Sequence, residues 1–255
     1  MEYLSVICSD IGISKKVNQD AAITLQAATA KGNVLMAVVC DGMGGLSKGE
    51  IASSTVITEM QEWFEDVFPD LLYRNFTFDA IKNSWMDVMD ELNERIRIYG
   101  EHLRINLGTT LTALLLVDDA YYICNIGDSR VYYLKDGIRQ MTRDQSFVQQ
   151  EIDVGRMTEE EAAHSDKRSV LLQCIGVGES VIPDFYSGEY SGASAFLLCS
   201  DGFRHVISND EIWNCLDLEG LREECQMEEK VRYLIDVVKN RGEEDNITAV
   251  LVSVK

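Results

Sequence analysis

Apolar positions along the chain fall into two rhythms. Short runs rich in Val, Ile, Leu and Tyr, bounded by turn residues, predict β-strands at Tyr3–Ser9, Ala21–Gln26, Val34–Cys40, Thr110–Val117, Ala120–Ile126, Arg130–Lys135, Ala195–Cys199 and Thr248–Val254. Asp118-Asp119 is a two-residue hairpin junction, and the Asp136-Gly137 pair marks another tight turn. Elsewhere the spacing is helical. Ile51, Val56, Met60, Trp63, Phe64 and Val67 form one stripe, and Phe78, Ile81, Trp85, Val88, Leu92 and Ile96 a cleaner one. A third helix is predicted from about Glu223 to Lys239, with Val231, Leu234, Ile235 and Val238 on one face. These stripes read as core packing, with Trp63 and Trp85 as anchors against a sheet.

The order is strands, two consecutive helices, more strands, an irregular polar segment, then strand, helix and strand. That order departs from a regular βαβ repeat and predicts an α+β chain of antiparallel sheets covered by helices. No internal repeat or Pro/Gly/Ser-rich linker divides the sequence, so residues 1–255 read as a single domain. The polar segment from Arg143 to Ser191 carries short helical pieces at Phe147–Val154 and Thr158–His164. Insertions of this length often lie over a functional site.

Composition narrows the function classes. A formal charge of -20 disfavours nucleic acid and anionic membrane surfaces and suits cations. The N-terminus meets acids at once and lacks a signal peptide's basic region, and apolar stretches such as Leu111–Val117 are too short to span a bilayer. These features fit a cytoplasmic protein. Seven cysteines, without a CxxC pair, include Cys8, Cys40, Cys124 and Cys199 inside apolar runs, where Cys acts as a small buried hydrophobe. Reduced thiols fit better than a disulfide framework. With only three histidines, far apart, a zinc cluster is not expected, and His102, His164 and His205 read as surface residues.

One pattern carries chemistry. An apolar strand ends and an aspartate follows beside glycine: LMAVVC-Asp41-Gly42, YYICNIG-Asp128 and FLLCS-Asp201-Gly202. Asp245-Asn246 precedes the last strand, and Asp20 closes VNQD ahead of the second. Each instance alone also reads as a simple turn. Together, if they converge, such acids repel one another, and a multivalent cation resolves the conflict. Oxygen donors without His or Cys select Mg²⁺, Mn²⁺ or Ca²⁺. Glycine after Asp41 lets the chain turn sharply and offer the Gly42 carbonyl to an ion. The run Gly42-Met43-Gly44-Gly45, followed by Lys48-Gly49-Glu50, reads as a loop able to cradle phosphate, although it lacks P-loop spacing.

SDIGISKKVNQDA, CDGMGGLSKGEIAS, LGTTLTA, NIGDSRVYYLKDG, MTRDQSFVQQEIDVGRMTEEEA, LLCSDGF and DNITAVLV occur in this order. They resemble the ordered motifs of the PPM, or PP2C-type, protein phosphatases in their compact bacterial form. The resemblance implies a four-layer αββα sandwich of two antiparallel sheets flanked by helices. It implies hydrolysis of phosphoserine and phosphothreonine in proteins by a water or hydroxide bridging two Mn²⁺ or Mg²⁺ ions, with a weaker third ion. Carried over by motif, Asp41 bridges the two ions, the Gly42 carbonyl ligates one, and Asp201 and Asp245 ligate the other. Asp20 acts through water, and Asp128 helps hold the third ion. The family's flap falls at about residues 145–180, near where substrate docks. The implied partners are phosphorylated proteins and their serine/threonine kinases, met by a monomer in the cytoplasm.

Three positions depart from the family pattern. Lys15 stands where Arg is usual and is expected to bind phosphate less rigidly, unless neighbouring Lys16 takes that role. Gln19 replaces Glu, removing a negative charge beside the ions. Met43, common in bacterial members, stands where some relatives carry a histidine acid. An alternative reading from a different class is a catalytically weak domain that binds phosphoproteins or a partner.

Overall fold

The computed structural model describes every residue except 45–47 and 75. β1 (Tyr3–Asp10), β2 (Asp20–Thr29) and β3 (Gly32–Gly44) lead into α1 (Gly49–Glu62), a π-helical turn (Trp63–Val67), α2 (Phe68–Arg74) and α3 (Phe78–Leu103). β4 (Leu107–Thr109), β5 (Leu111–Val117), β6 (Ala120–Ile126), β7 (Arg130–Leu134) and β8 (Ile138–Gln140) follow. Then come α4 (Phe147–Asp153), α5 (Glu159–Ala163), β9 (Asp184–Glu189), β10 (Ser194–Cys199), α6 (Asp201–Arg204), α7 (Asn209–Cys215), α8 (Glu224–Asn240) and β11 (Ile247–Val254).

The strands form two antiparallel sheets. One runs in the order β1-β11-β10-β7-β8 and the other β2-β3-β5-β6-β9, with β4 paired to β3. Strict alternation explains why the sheets stack. Along β3, Leu35, Ala37 and Val39 enter the core between the sheets, while Val34, Met36, Val38 and Cys40 pack on α1 and α3. In β11, Val250, Val252 and Val254 face the inter-sheet core, and Ala249 and Leu251 pack with Met227, Val231 and Leu234 of α8. Each central strand is thus apolar on both faces, which is why these segments read as continuous hydrophobic runs. The result is the four-layer αββα sandwich.

Trp63 and Trp85 anchor the helical layer, with ring centroids 5.4 Å apart, and the Trp63 indole N–H donates to Ser84 Oγ at 2.7 Å. The π-helical turn directly precedes Pro69, whose missing N–H cannot continue an α-helical ladder. The segment between β8 and β9 is pinned at several points. Gln145 N–H donates to Gly127 O, Ser146 bridges to Leu171, and Ile175 bridges to Thr109. The buried Asn93 side chain of α3 accepts from Gly176 N–H at 2.8 Å and donates to Gly178 O at 3.0 Å. All seven cysteines are free thiols, and Cys8, Cys40, Cys124 and Cys199 are buried as expected.

Candidate active site

Antiparallel pairing brings the strand-end aspartates to one end of the sandwich. Asp20 opens β2 and pairs in register with Asp41 near the end of β3. In the other sheet β10 ends at Cys199 opposite Ala249, so Asp201 and Asp245 leave the sheet side by side. β6 ends at Ile126 opposite Leu111, which places Asp128 next to the start of β5. The segment 11–19 crosses from β1 to β2 over this end. Asn246 staples it down: its side-chain N–H groups donate to Ile11 O at 2.9 Å and Val17 O at 3.2 Å, and its Oδ1 accepts from Gln19 N–H at 2.9 Å.

Asp41 is held by its backbone. Its N–H donates to Thr110 Oγ1, and its carbonyl accepts from Thr110 N–H and Thr109 Oγ1, each at 2.9 Å. The LGTT motif gives these two threonines no role by spacing alone; the signal is a hydroxyl pair at a strand entry opposite the key acid. Next to Asp41, a Cβ on Gly42 would collide with the carbonyls of Gly49 and Gln19, so only glycine fits. Gly42, Met43 and Gly44 continue β3 and pair with β4, rather than opening a phosphate-cradling loop. Gly45, the last residue of that expected loop, lies outside the described residues.

The acids feel one another. Burial pushes the Asp41 carboxyl well above the usual carboxylate range, and Asp20, Asp201, Asp128 and Asp245 push it further. Burial likewise lifts Asp20 to about 7, with Asp201 and Asp245 adding to it against hydroxyl donors such as Ser200. Asp128 also rises to about 7, through burial and Asp201, with Arg204 opposing. In Asp20 and Asp201 one carboxylate oxygen has a protein neighbour and the other is orphaned. Asp20 Oδ2 accepts from Ser200 Oγ at 2.9 Å and Asp201 Oδ2 lies 3.4 Å from His205 Nε2, while both Oδ1 atoms are buried without a hydrogen bond. Such atoms call for a cation or another donor. Lys15 supplies part of the charge, its Nζ 2.6 Å from Asp245 Oδ1 with both side chains about two-fifths exposed. Among the described residues, no three Asp, Glu, His or Cys side chains are drawn as tightly together as ligands round one ion. The orphaned oxygens and the all-oxygen donor set nevertheless fit a hard divalent cation.

Beside the acids lies a second charged group. Arg130 donates from Nε and Nη2 to the two oxygens of Asp144, both at 2.8 Å. Arg204 Nη2 stands 3.1 Å from Asp144 and donates to Asp128 O at 3.0 Å and Oδ2 at 3.3 Å. Burial alone would raise Asp144, but Arg204 and Arg130 outweigh it and hold the carboxyl below its usual range. A cavity of about 760 Å³ opens between the α4–α5 segment and α6–α7, lined by Gln149, Arg168, Arg204, His205 and Ser208 among others.

Some sequence expectations need correction or addition. His205 is not a surface histidine: its side chain is 13% exposed and lies between Asp201 and Glu243. His164 is exposed as expected and bonds Glu160 O. Gln19 does more than replace an acid. Its side chain donates to Glu50 at 3.4 Å, and its carbonyl accepts from Ser53 Oγ at 2.6 Å and from Gly42 N–H at 3.1 Å.

The profile of the family described as Protein phosphatase 2C matches residues 13–252. The serine/threonine phosphatase stp of Listeria monocytogenes serotype 4b is 30% identical over 225 residues, covering 87% of this chain and 85% of that protein. Among solved structures, serine/threonine phosphatase Stp1 from Staphylococcus aureus superposes with a TM-score of 0.87 at 26% identity, covering 100% of this chain and 96% of the other. The catalytic domain of serine/threonine protein phosphatase PstP, solved in complex with two manganese ions, gives 0.78 at 28% identity over 99% of each chain.

Proposed function

The chain belongs to the protein phosphatase 2C family and is a protein-serine/threonine phosphatase, and on that premise we propose that it uses divalent cations, gathered by its strand-end aspartates, to hydrolyse phosphoserine and phosphothreonine in proteins. The observation that carries this reading is the meeting of Asp41 with Asp20, Asp128, Asp201 and Asp245 at one sandwich end, with buried carboxylate oxygens left without partners. The manganese ions in the PstP structure support it by likeness.

In this reading Asp41, the Gly42 carbonyl, Asp201 and Asp245 would hold two Mn²⁺ or Mg²⁺ ions. Asp20 would act through water, and Asp128 would help hold a weaker third ion. Such ions would supply Lewis acidity for water and for the phosphoryl oxygens. The chain's own work is positional. Thr109 and Thr110 fix the backbone of Asp41, and Asn246 fixes the segment bearing Lys15 against Asp245. Lys15, 2.6 Å from Asp245, is close enough to turn its ammonium toward a phosphate arriving beside the acids. The cavity under α4 and α5 suits the polypeptide around the phosphorylated residue, with Arg168 at its wall. Met43 has no proton to give, so protonation of the leaving hydroxyl falls to solvent.

The substrates of this reading are phosphoproteins, and the chain opposes serine/threonine kinases as a cytoplasmic monomer. Among the described residues, no helix is long and apolar enough to cross a membrane. A phosphothreonine peptide and p-nitrophenyl phosphate, assayed with Mn²⁺ against EDTA and against Asp41→Asn, test the proposal. Metal-dependent turnover lost in the variant is expected. Absence of metal-dependent turnover in the native chain would replace it with the phosphoprotein-binding reading.

A further inference from the structure

His205 joins two acids that the chain brings together from distant segments. Its Nε2 is 3.4 Å from Asp201 Oδ2 on the first turn of α6, and its Nδ1 is 3.3 Å from Glu243 Oε2. The side chains of His205, Asp201 and Glu243 are 13%, 9% and 5% exposed. Nδ1 is buried without an aligned hydrogen bond, and Glu243 Oε2 is the acceptor within reach. The other Glu243 oxygen accepts the backbone N–H groups of Glu244 at 2.9 Å and Asp245 at 3.0 Å. A continuous path therefore runs from the Asp201 carboxylate through the imidazole and Glu243 to the backbone of Asp245. Close packing reinforces it, since a Cβ on Gly202 would collide with Asn246 O.

We propose that His205 and Glu243 are a positioning pair that sets Asp201 and Asp245 relative to each other for a divalent cation. This rests on the metal reading above. His205 also lines the cavity beside α4 and α5, so the readout is Mn²⁺ binding in the absence of substrate. The imidazole faces Asp201 Oδ2, leaving the buried Oδ1 as the oxygen to ligate. Glu243 fixes the chain immediately before Asp245, whose Oδ1 is itself held by Asn246 N–H at 2.8 Å. Outer groups that orient metal-binding carboxylates typically change affinity by about 10–100-fold when removed. A burial role alone would change folding stability and leave the affinity of the folded protein untouched.

The test is Mn²⁺ binding to the full chain by titration calorimetry, with thermal unfolding in EDTA alongside. His205→Ala is expected to weaken Mn²⁺ binding about 10–100-fold. His205→Gln, which keeps a donor toward Asp201, recovers most of that loss. Glu243→Ala weakens binding similarly, and the double variant is no weaker than the worse single one, because both act along one path. If the alanine variants do not fold, isosteric Glu243→Gln carries the test, with about a tenfold loss expected. Wild-type affinity in any of the folded variants except His205→Gln overturns the proposal, as do single effects that multiply in the double variant. A native chain that takes up no Mn²⁺ overturns the metal reading and this proposal together, an outcome distinct from native uptake undiminished in the variants.

Discussion

Asp41 and Asp144 reach the same end of the sandwich, and the protein treats their charges in opposite ways. Asp144 receives two guanidinium groups: Arg130 grips it with a planar two-point contact, and Arg204 stands on its other side. Its carboxyl stays ionised at any ordinary pH, because the counter-charge is built into the fold. Asp41 and Asp20 have acids for neighbours, and Lys15 lies beside them, about two-fifths exposed on Asp245. One cluster is closed by opposite charges, although Arg204 Nε is buried without a hydrogen bond; the other spends stability to hold repelling charges together. The difference separates a structural ion network from the acids proposed above to bind cations. Asp128 stands on the border, pushed up by burial and Asp201 and drawn down by Arg204.

The comparison breaks most sharply in opposite responses to losing one acid. Asp41→Asn removes the carboxylate proposed to bridge the ions, and turnover should fall by about 10³-fold or more, since the ions supply several kcal/mol of transition-state stabilisation. The same variant should unfold at a higher temperature than wild type in EDTA, because mutual repulsion is relieved. Steady-state kinetics and a melt in EDTA read both signs. A variant that is inactive but also less stable would mean that Asp41 is part of the packing.

Asp144→Asn should do the reverse to stability. It leaves Arg130 and Arg204 buried without their carboxylate, and breaking a buried pair from one side costs about 3–5 kcal/mol. Urea unfolding in EDTA measures it. A cost below about 1 kcal/mol would put the pair in the class of solvated surface bridges.

These two clusters also mark how far the sequence could be read. The strand-end aspartates were legible because apolar run, Asp and Gly recur at several strand ends, and antiparallel pairing then has few ways to scatter them. Antiparallel sheets covered by helices are legible from runs such as Val34–Cys40 and from the helical stripes, whereas the four-layer stacking follows from the family resemblance. Strand β9 was missed because DFYSGE lies half-buried at a sheet edge and alternates weakly. Strand β8 and helix α6 are three and four residues long and leave no periodicity to detect. The residues that hold the acids were hidden for another reason. Thr109, Thr110, Gln145 and Asn246 act through hydrogen bonds to backbone far away in sequence, and no local spacing encodes such a partner. His205 reads as exposed because nothing in FRHVI marks its partners, which are Asp201 one helical turn earlier and the distant Glu243.

A smaller effect follows from pH. Burial and neighbouring acids lift Asp20 and Asp128 to about 7 in the folded, metal-free chain, while an unfolded carboxyl titrates near 3.9. Between those values the folded state binds more protons than the unfolded one, so stability falls as pH rises. In EDTA the melting temperature should therefore be several degrees higher at pH 5.5 than at pH 7.5. Saturating Mn²⁺ should reverse the order, because ion binding requires the deprotonated carboxylates. The lowered carboxyls of Asp144 and of Glu211, the latter at about 2, act only at lower pH and do not disturb this window. A flat EDTA profile between the two pH values would show that the acids are already compensated.

The smallest expected effect sits on Lys15, a cation beside the open cluster. Its contact with Asp245 is about two-fifths exposed on both sides, and pairs of that kind are worth about 0–1 kcal/mol. The ammonium can therefore leave Asp245 for an arriving phosphate at little cost, but it brings only a point charge. Lys15→Arg offers a planar fork able to grip two phosphoryl oxygens at once, while keeping the charge near Asp245. With Mn²⁺ saturating, KM for a phosphothreonine peptide should fall about threefold, roughly 0.6 kcal/mol, with kcat nearly unchanged. Charge is conserved in this substitution, so the change in KM isolates geometry from electrostatics. An unchanged or raised KM would mean that Lys15 serves Asp245 alone and that phosphate is met by the ions and another side chain.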